Sequence, residues 1–162
     1  ICSIYATSGA GLPLITHKQD KKFKLLFLDI GLLKRATNLD VELLMTKDIM
    51  LLNRGAIAEQ LVGQELLAYQ NPHDQPQLFY WARDKKSSVA EVDYLINIDA
   101  NIIPIEVKSG KTGSLKSLHL LMKERNLPYG VRISSRSLER HGNILSIPFY
   151  LIHQLDRLIR LL

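Results

Sequence analysis

The sequence predicts an α/β domain: a mixed sheet carrying helices, preceded by a partly helical N-terminal appendage. Three observations lead there. Between residues 55 and 134, apolar runs of strand length are flanked by segments of helical period. Asp99-Ala100-Asn101 separates two of those runs as a tight turn would, making them an antiparallel hairpin. A helical segment separates the third run from the fourth, which is the crossover that parallel strands need.

The elements follow in order. Residues 1–21 carry Gly9, Gly11 and Pro13 among small polar residues and read as an irregular lead-in. Residues 23–30 (FKLLFLDI) form a short apolar run suited to a buried strand, and the Leu-rich stretch 32–52 suits one or two helices. Residues 1–52 are therefore the appendage, and 53–162 the main domain. Asn53 can cap a helix over residues 56–69, whose apolar stripe runs through Ala58, Val62, Leu66 and Tyr69. Glu59 falls on that stripe, where a carboxylate is costly unless something pairs with it.

Residues 77–82 (QLFYWA) read as a strand with core aromatics, followed by a polar turn at 83–88. Residues 91–98 (EVDYLINI) alternate as a strand does, and residues 102–108 (IIPIEVK) make the next strand. Ser114 can cap a helix whose apolar side is Leu115, Leu118 and Met122. A strand at 129–133, an extended piece around Pro148 and an amphipathic helix packed on the domain complete the chain.

Composition excludes several classes. The 162 residues are 46% hydrophobic and 23% charged, as in a globular protein that folds without staples. One cysteine, Cys2, rules out a disulfide framework and a Cys-based zinc cluster, which fits a reducing, cytoplasmic setting. No apolar run nears the ~20 residues that span a bilayer, so no membrane partner is expected. No signal peptide is evident, and a chain opening on Ile1 reads as part of a longer polypeptide. The net charge is +5, and residues 108–140 hold eight basic side chains against two acidic ones. Such a stretch can attract a phosphate backbone or simply form a solvated face.

The chemistry gathers on four residues. Glu106 and Lys108 are two apart on one strand and share a face. Asp93 joins them if Ile98 faces Asn101 across the turn, because Asp93 then faces Glu106; closing the turn between Ile98 and Ile102 separates the two acids. Paired carboxylates stay ionised most easily around a cation, and Mg²⁺ or Mn²⁺ suits oxygen ligands completed by water and phosphate. Asp93 and Glu106 are the expected metal ligands. Lys108 can stabilise developing negative charge or orient the attacking water, and Glu59 can ligate a second ion, hold a metal-bound water or anchor Lys108. Hydrolysis of a phosphodiester uses all four groups.

A helix acid, a strand Asp and Glu-x-Lys on the next strand resemble the restriction-endonuclease-like superfamily, written PD-(D/E)XK. The helix-strand-strand-strand-helix-strand order is similar to its core. More narrowly, GAIAEQLVGQELLAY, LFYWARD, AEVDYLI, PIEVKSGKTGSLKSL and KFKLLFLDIGLL resemble the uncharacterised C-terminal domain that follows the ATPase module in many prokaryotic AAA-type ATPases. The resemblance implies catalytic positions at Asp93, Glu106 and Lys108, with Glu59 as the helix acid. Val92 stands where the superfamily pattern has proline. The implied partners are DNA and an upstream ATPase module of the same polypeptide. A catalytically inactive module that binds DNA or a protein is the alternative.

Gly110-Lys111-Thr112 imitates the end of a P-loop, but Ile105 occupies the position of the required first glycine, so no ATP site is expected. Lys111, Thr112, Ser114 and Lys116 can instead hold a nucleic-acid phosphate at the helix start. The five histidines show no pair at ligand spacing, and no nucleophilic serine motif is present.

Overall fold

The computed structural model describes residues 1–37, 47–73, 75–85 and 88–162, without the side chains of 47–54, 84, 85 and 88. Among the described residues, eight strands form one mixed sheet: β1 (Cys2–Thr7), β2 (Lys18–Leu26), β3 (Phe79–Lys85), β4 (Ser88–Ile98), β5 (Asn101–Val107), β6 (Gly130–Ser134), β7 (Glu139–His141) and β8 (Ile144–Pro148). Their spatial order is β2-β1-β3-β4-β5-β6-β8-β7. The helices are α1 (Ile30–Ala36), α2 (Lys47–Ala68), α3 (Lys116–Arg125) and α4 (Leu155–Ile159). From α2 to β6 the element order is the one expected, with β4 and β5 antiparallel and β5 and β6 parallel.

Helices cover both faces because the inner strands are apolar on both. On one face Ala58, Val62 and Leu66 of α2 pack on Tyr94, Ile103, Ile105 and Val107, and the C-terminal segment adds Ile152, Leu155 and Ile159. On the other, Leu118, Leu121 and Met122 of α3 meet Phe79, Trp81, Val92, Leu95 and Ile102. Alternate residues of β5 therefore serve opposite cores, as strand period requires. The aromatics of β3 are core, as expected, and the C-terminal segment packs on the domain.

The N-terminal reading needs correction. Residues 1–21 are not irregular: they hold β1 and the start of β2, so the first 26 residues extend the sheet. β1 hides its signal because its buried residues Ile4, Ala6 and Thr7 are mostly small. β2 is an edge strand, not a buried one: Phe23 and Leu25 are over half exposed, and only Leu26 is buried. Its lysines are what an outer edge tolerates. Asp29, not a continuing strand, then caps α1, accepting from the Leu32 N–H at 2.9 Å.

α2 is backbone-helical through position 53, where a cap was expected, and it ends at Ala68, which leaves Tyr69 exposed. The boundary at residue 52 therefore falls within a helix. Gln60, rather than Glu59, takes the fully buried place beside the stripe: its side chain donates to the Phe27 carbonyl at 2.8 Å and accepts from the Phe27 N–H at 3.1 Å. β3 runs on to Lys85, and residues 86–87 of the expected polar turn lie outside the described residues. The extended piece around Pro148 is β8, and the expected amphipathic helix is a 3-10 turn over Phe149–Gln154 leading into α4. No helix among the described residues is long and apolar enough to cross a membrane.

Candidate functional site

The β4–β5 hairpin takes the register that brings the acids together. Ile98 faces Asn101, and the ladder continues through Asn97↔Ile102, Ile96↔Ile103 and Leu95↔Pro104 to Tyr94↔Ile105. The ladder ends there, one step short of Asp93 and Glu106, which lie near enough for the charge of Asp93 to act on Glu106. Asp99 accommodates the turn at φ 54°, a left-handed conformation that Asp and Asn tolerate better than most residues.

Past Tyr94 the strands stop pairing through their backbones, and a side chain takes over. Asp93 Oδ2 accepts the Val107 N–H at 2.7 Å. Along the other edge of β4, the register with β3 shifts between Phe79↔Leu95 and Trp81↔Val92, a bulge that brackets Asp93. Bulges re-aim side chains in this way beside functional sites.

Four carboxylates meet two ammonium groups here. Lys108 Nζ donates to Glu106 Oε1 at 2.7 Å. Glu106 is buried, and its second oxygen, Oε2, has no hydrogen-bond partner. Lys24 Nζ reaches from β2 across β1 and β3, forming a close ion pair with Glu91 Oε1 and lying 3.9 Å from Glu59 Oε2. The same ammonium sits 4.9 Å from the Tyr80 ring centre. Tyr94 Oη donates to the Glu59 carbonyl at 2.7 Å, tying that turn of α2 to the strand of Asp93. Gly63 permits this approach, since a Cβ there would fall 2.6 Å from Tyr94 Oη.

The electrostatics follow from burial and crowding. Burial, then the charge of Asp93, pushes the Glu106 carboxyl up to about 7 despite Lys108. Burial and Asp93 likewise push Glu59 up to about 7, with Lys24 opposing. Burial raises Asp93 too, against the Val107 hydrogen bond and the two lysines. Burial works to lower Lys24, but Glu91, Glu59 and Asp93 outweigh it and hold the ammonium above its ordinary range. Burial, then Glu59 and Asp93, raises the Tyr94 phenol. The carboxylates therefore compete for too little positive charge.

Asp93, Glu106, Lys108 and Glu59 thus come together, although Glu59 stands beside the buried stripe and its ion-pair partner is Lys24, not Lys108. Lys111, Thr112, Ser114 and Lys116 are exposed on the segment that leaves β5 and opens α3. Ser114 is not the expected N-cap: Leu115 holds that position without a side-chain cap, and Ser114 Oγ, one residue before it, only accepts the Lys116 N–H at 3.3 Å. Gly113 lies against the stem of Lys108: with φ +137°, a Cβ added there would sit 2.7 Å from Lys108 Cδ.

Sequence reasoning missed Glu91 and Lys24. Glu91 was legible, two residues before Asp93 on an alternating strand. Lys24 lies 67 residues from its partner and gave no local signal. A separate cleft of ≈ 900 Å³ opens near the turn end of the hairpin, lined by Tyr69, Gln70, Phe79, Asn97 and His153 among others. Asp93, Glu106 and Lys108 do not line it.

Among the described residues, no three His, Cys, Asp or Glu side chains are close enough to enclose an ion. Asp93 and Glu106 can supply two carboxylates, one of them with an unpartnered oxygen. That donor set fits Mg²⁺ or Mn²⁺, which usually keep waters and bind through one or two carboxylates plus substrate phosphate. Comparison with known families gives a match over residues 54–151, well over half of the chain, to the family described as Domain of unknown function (DUF4143). Comparisons with curated proteins and with solved structures give no match.

Proposed function

The chain belongs to the DUF4143 family, and we propose that its domain hydrolyses phosphodiester bonds of DNA with a divalent metal ion. The order α2-β3-β4-β5-α3-β6 is taken as a restriction-endonuclease-like core, placed after an ATPase module of the same polypeptide. One observation carries the reading: Asp93 and Glu106 are both buried just past the last backbone pair of the hairpin, near enough for the charge of Asp93 to raise Glu106, with Glu106 Oε2 unpartnered and Lys108 on the other oxygen. A carboxylate oxygen buried without a donor costs stability, and a ligand that supplies positive charge offsets that cost.

Asp93 and Glu106 would hold Mg²⁺ or Mn²⁺, which supplies Lewis acidity toward a phosphoryl oxygen and activates water. Asp93 is fixed for this by the Val107 N–H, and Glu106 by Lys108. Lys108, half-buried and two residues past Glu106, donates to a phosphate oxygen as negative charge builds there. Glu59, held at the rim by Lys24, takes or releases a proton near neutral pH. Lys111, Thr112, Ser114 and Lys116 flank the path of the strand and supply salt-dependent attraction.

The test is cleavage of single-stranded, duplex and branched DNA with Mg²⁺ or Mn²⁺. Metal-dependent cleavage that Asp93→Asn and Glu106→Gln abolish is expected. No cleavage, or equal cleavage by those variants, overturns the reading. A second reading draws on Lys24 and Lys108, which already occupy part of the acid cluster: a binding module coupled to the ATPase. It expects salt-sensitive DNA binding without metal that survives Glu106→Ala.

A further inference from the structure

Beside the carboxylates lies a second charge imbalance, of opposite sign. In the parallel pair of β5 and β6, Glu106 is matched with Arg132, so the two side chains leave the sheet on the same side about 4.8 Å apart at the backbone. Arg132 is only 5% exposed. Its Nη2 donates to the Lys111 carbonyl at 2.9 Å, and its buried Nε has no partner. Arg136 Nε donates to that same carbonyl at 2.7 Å, while its Nη1 donates to Glu139 Oε1 at 2.9 Å. Two guanidinium groups therefore converge on one neutral oxygen, and no carboxylate pairs with Arg132 among the described residues.

This is an arrangement that folding alone does not favour. A buried cation is tolerated when paired, and here no ion pair holds Arg132 among the described residues, while the charge acting on it most is another cation, Arg136. Burial and the charge of Arg136 both act against the charged form of Arg132, with Glu139 opposing. A tetrahedral oxyanion resolves the conflict, because each guanidinium presents a planar fork matched to phosphate oxygens. Arg136 is partly exposed, which leaves a way in. The exposed 111–114 loop forms the rim.

We propose that Arg132 and Arg136, with the 111–114 loop, form a phosphate-binding subsite one strand away from Glu106, seating a phosphate of the nucleic-acid strand next to the one at Asp93 and Glu106. The subsite rests on the nuclease reading only for the identity of its ligand. Glu139 competes with that phosphate for Arg136.

The experiment is fluorescence anisotropy in EDTA with a labelled oligodeoxynucleotide that has no terminal phosphate, so binding is read apart from catalysis. Arg132→Gln should weaken binding about tenfold and lower the salt slope by about 1. Arg132→Lys should recover part of the loss by keeping charge without the fork. Arg136→Gln should weaken binding several-fold, and Glu139→Gln should tighten it. Thermal melts check folding, and if Arg132→Gln does not fold, Arg136→Gln decides.

Folded Arg132→Gln and Arg136→Gln proteins that bind as wild type does would overturn the subsite, as would a wild type that binds neither the oligonucleotide nor inorganic phosphate nor a nucleoside triphosphate. Binding of inorganic phosphate or a nucleoside triphosphate but not of the oligonucleotide overturns the strand as ligand. Arginine-dependent binding without cleavage keeps the subsite and removes the catalytic reading. Cleavage with unchanged KM in both arginine variants does the reverse.

Discussion

The β4–β5 hairpin carries a charge cluster at each end, and the two are built on different terms. At the turn, Arg160 is fully partnered: Nε donates to Asp156 Oδ2 at 2.8 Å, Nη2 to Asp156 Oδ1 at 3.1 Å, and Nη1 forms a close ion pair with Asp99. All three side chains are about half exposed or more. At the open end, Glu59, Glu91, Asp93 and Glu106 share Lys24 and Lys108, and one buried oxygen is left over. Charges that serve only the fold can be matched on the surface at little cost. Charges buried and left unmatched lower stability, and they persist where a ligand completes them.

The largest expected effect tests that contrast directly. Asp93→Asn and Glu106→Gln should each lower metal-dependent cleavage by about 10²-fold or more, measured as initial rates on the DNA that wild type cuts best. Arg160→Ala should leave the rate unchanged.

Stability should move the other way. Glu106 titrates at about 7 in the fold against an ordinary 4.5. A raised carboxyl contributes stability that is present below about 4.5 and lost as pH rises through about 7, because the folded state holds the proton longer. In EDTA, Glu106→Gln should therefore be more stable than wild type at pH 8, by about 1–2 kcal/mol. The gain should vanish near pH 4. Denaturant melts at the two pH values measure it, and a variant less stable at both would assign Glu106 an ordinary structural role.

Gly113→Ala sharpens the comparison at Lys108. Its Cβ would press on the lysine stem, and its φ would be strained. A loss of about 1 kcal/mol in stability is expected, together with a fall in kcat and little change in KM. Lys24→Met should act more locally still. Without its ammonium, Glu59 should titrate higher than in wild type, read by NMR of the carboxyl carbon. The smallest effect is expected for Arg160→Ala, whose partners remain solvated and whose melting temperature should shift only slightly.

Legibility divides along local and non-local lines. The hairpin register was readable because Asp99-Ala100 permits a two-residue turn and alternation carries the phase to Asp93 and Glu106. The aromatics of β3 and the crossover through α3 were readable for the same reason: each signal sits within a few residues. β1 was missed because its apolar residues Ile4, Tyr5 and Ala6 are few and sit among polar ones, too short a run to make a strong pattern. β2 was misjudged because a run of Leu and Phe looks buried until its place at the sheet edge is known. At the site, Glu91 shares a strand with Asp93 and was within reach of sequence reasoning.

Lys24 and Arg132 were not. The role of each depends on which strands become neighbours, and strand order is settled by long-range packing that no local pattern encodes. Alternation, turn chemistry and helix period by themselves determined the α/β class and the hairpin phase at the turn. The tertiary structure alone decided that Lys24 crosses two strands to reach Glu91 and Glu59. It alone also decided that Arg132 lies beside Glu106 with an unpartnered nitrogen. Charge reaches through space, while sequence periodicity reaches only along one element.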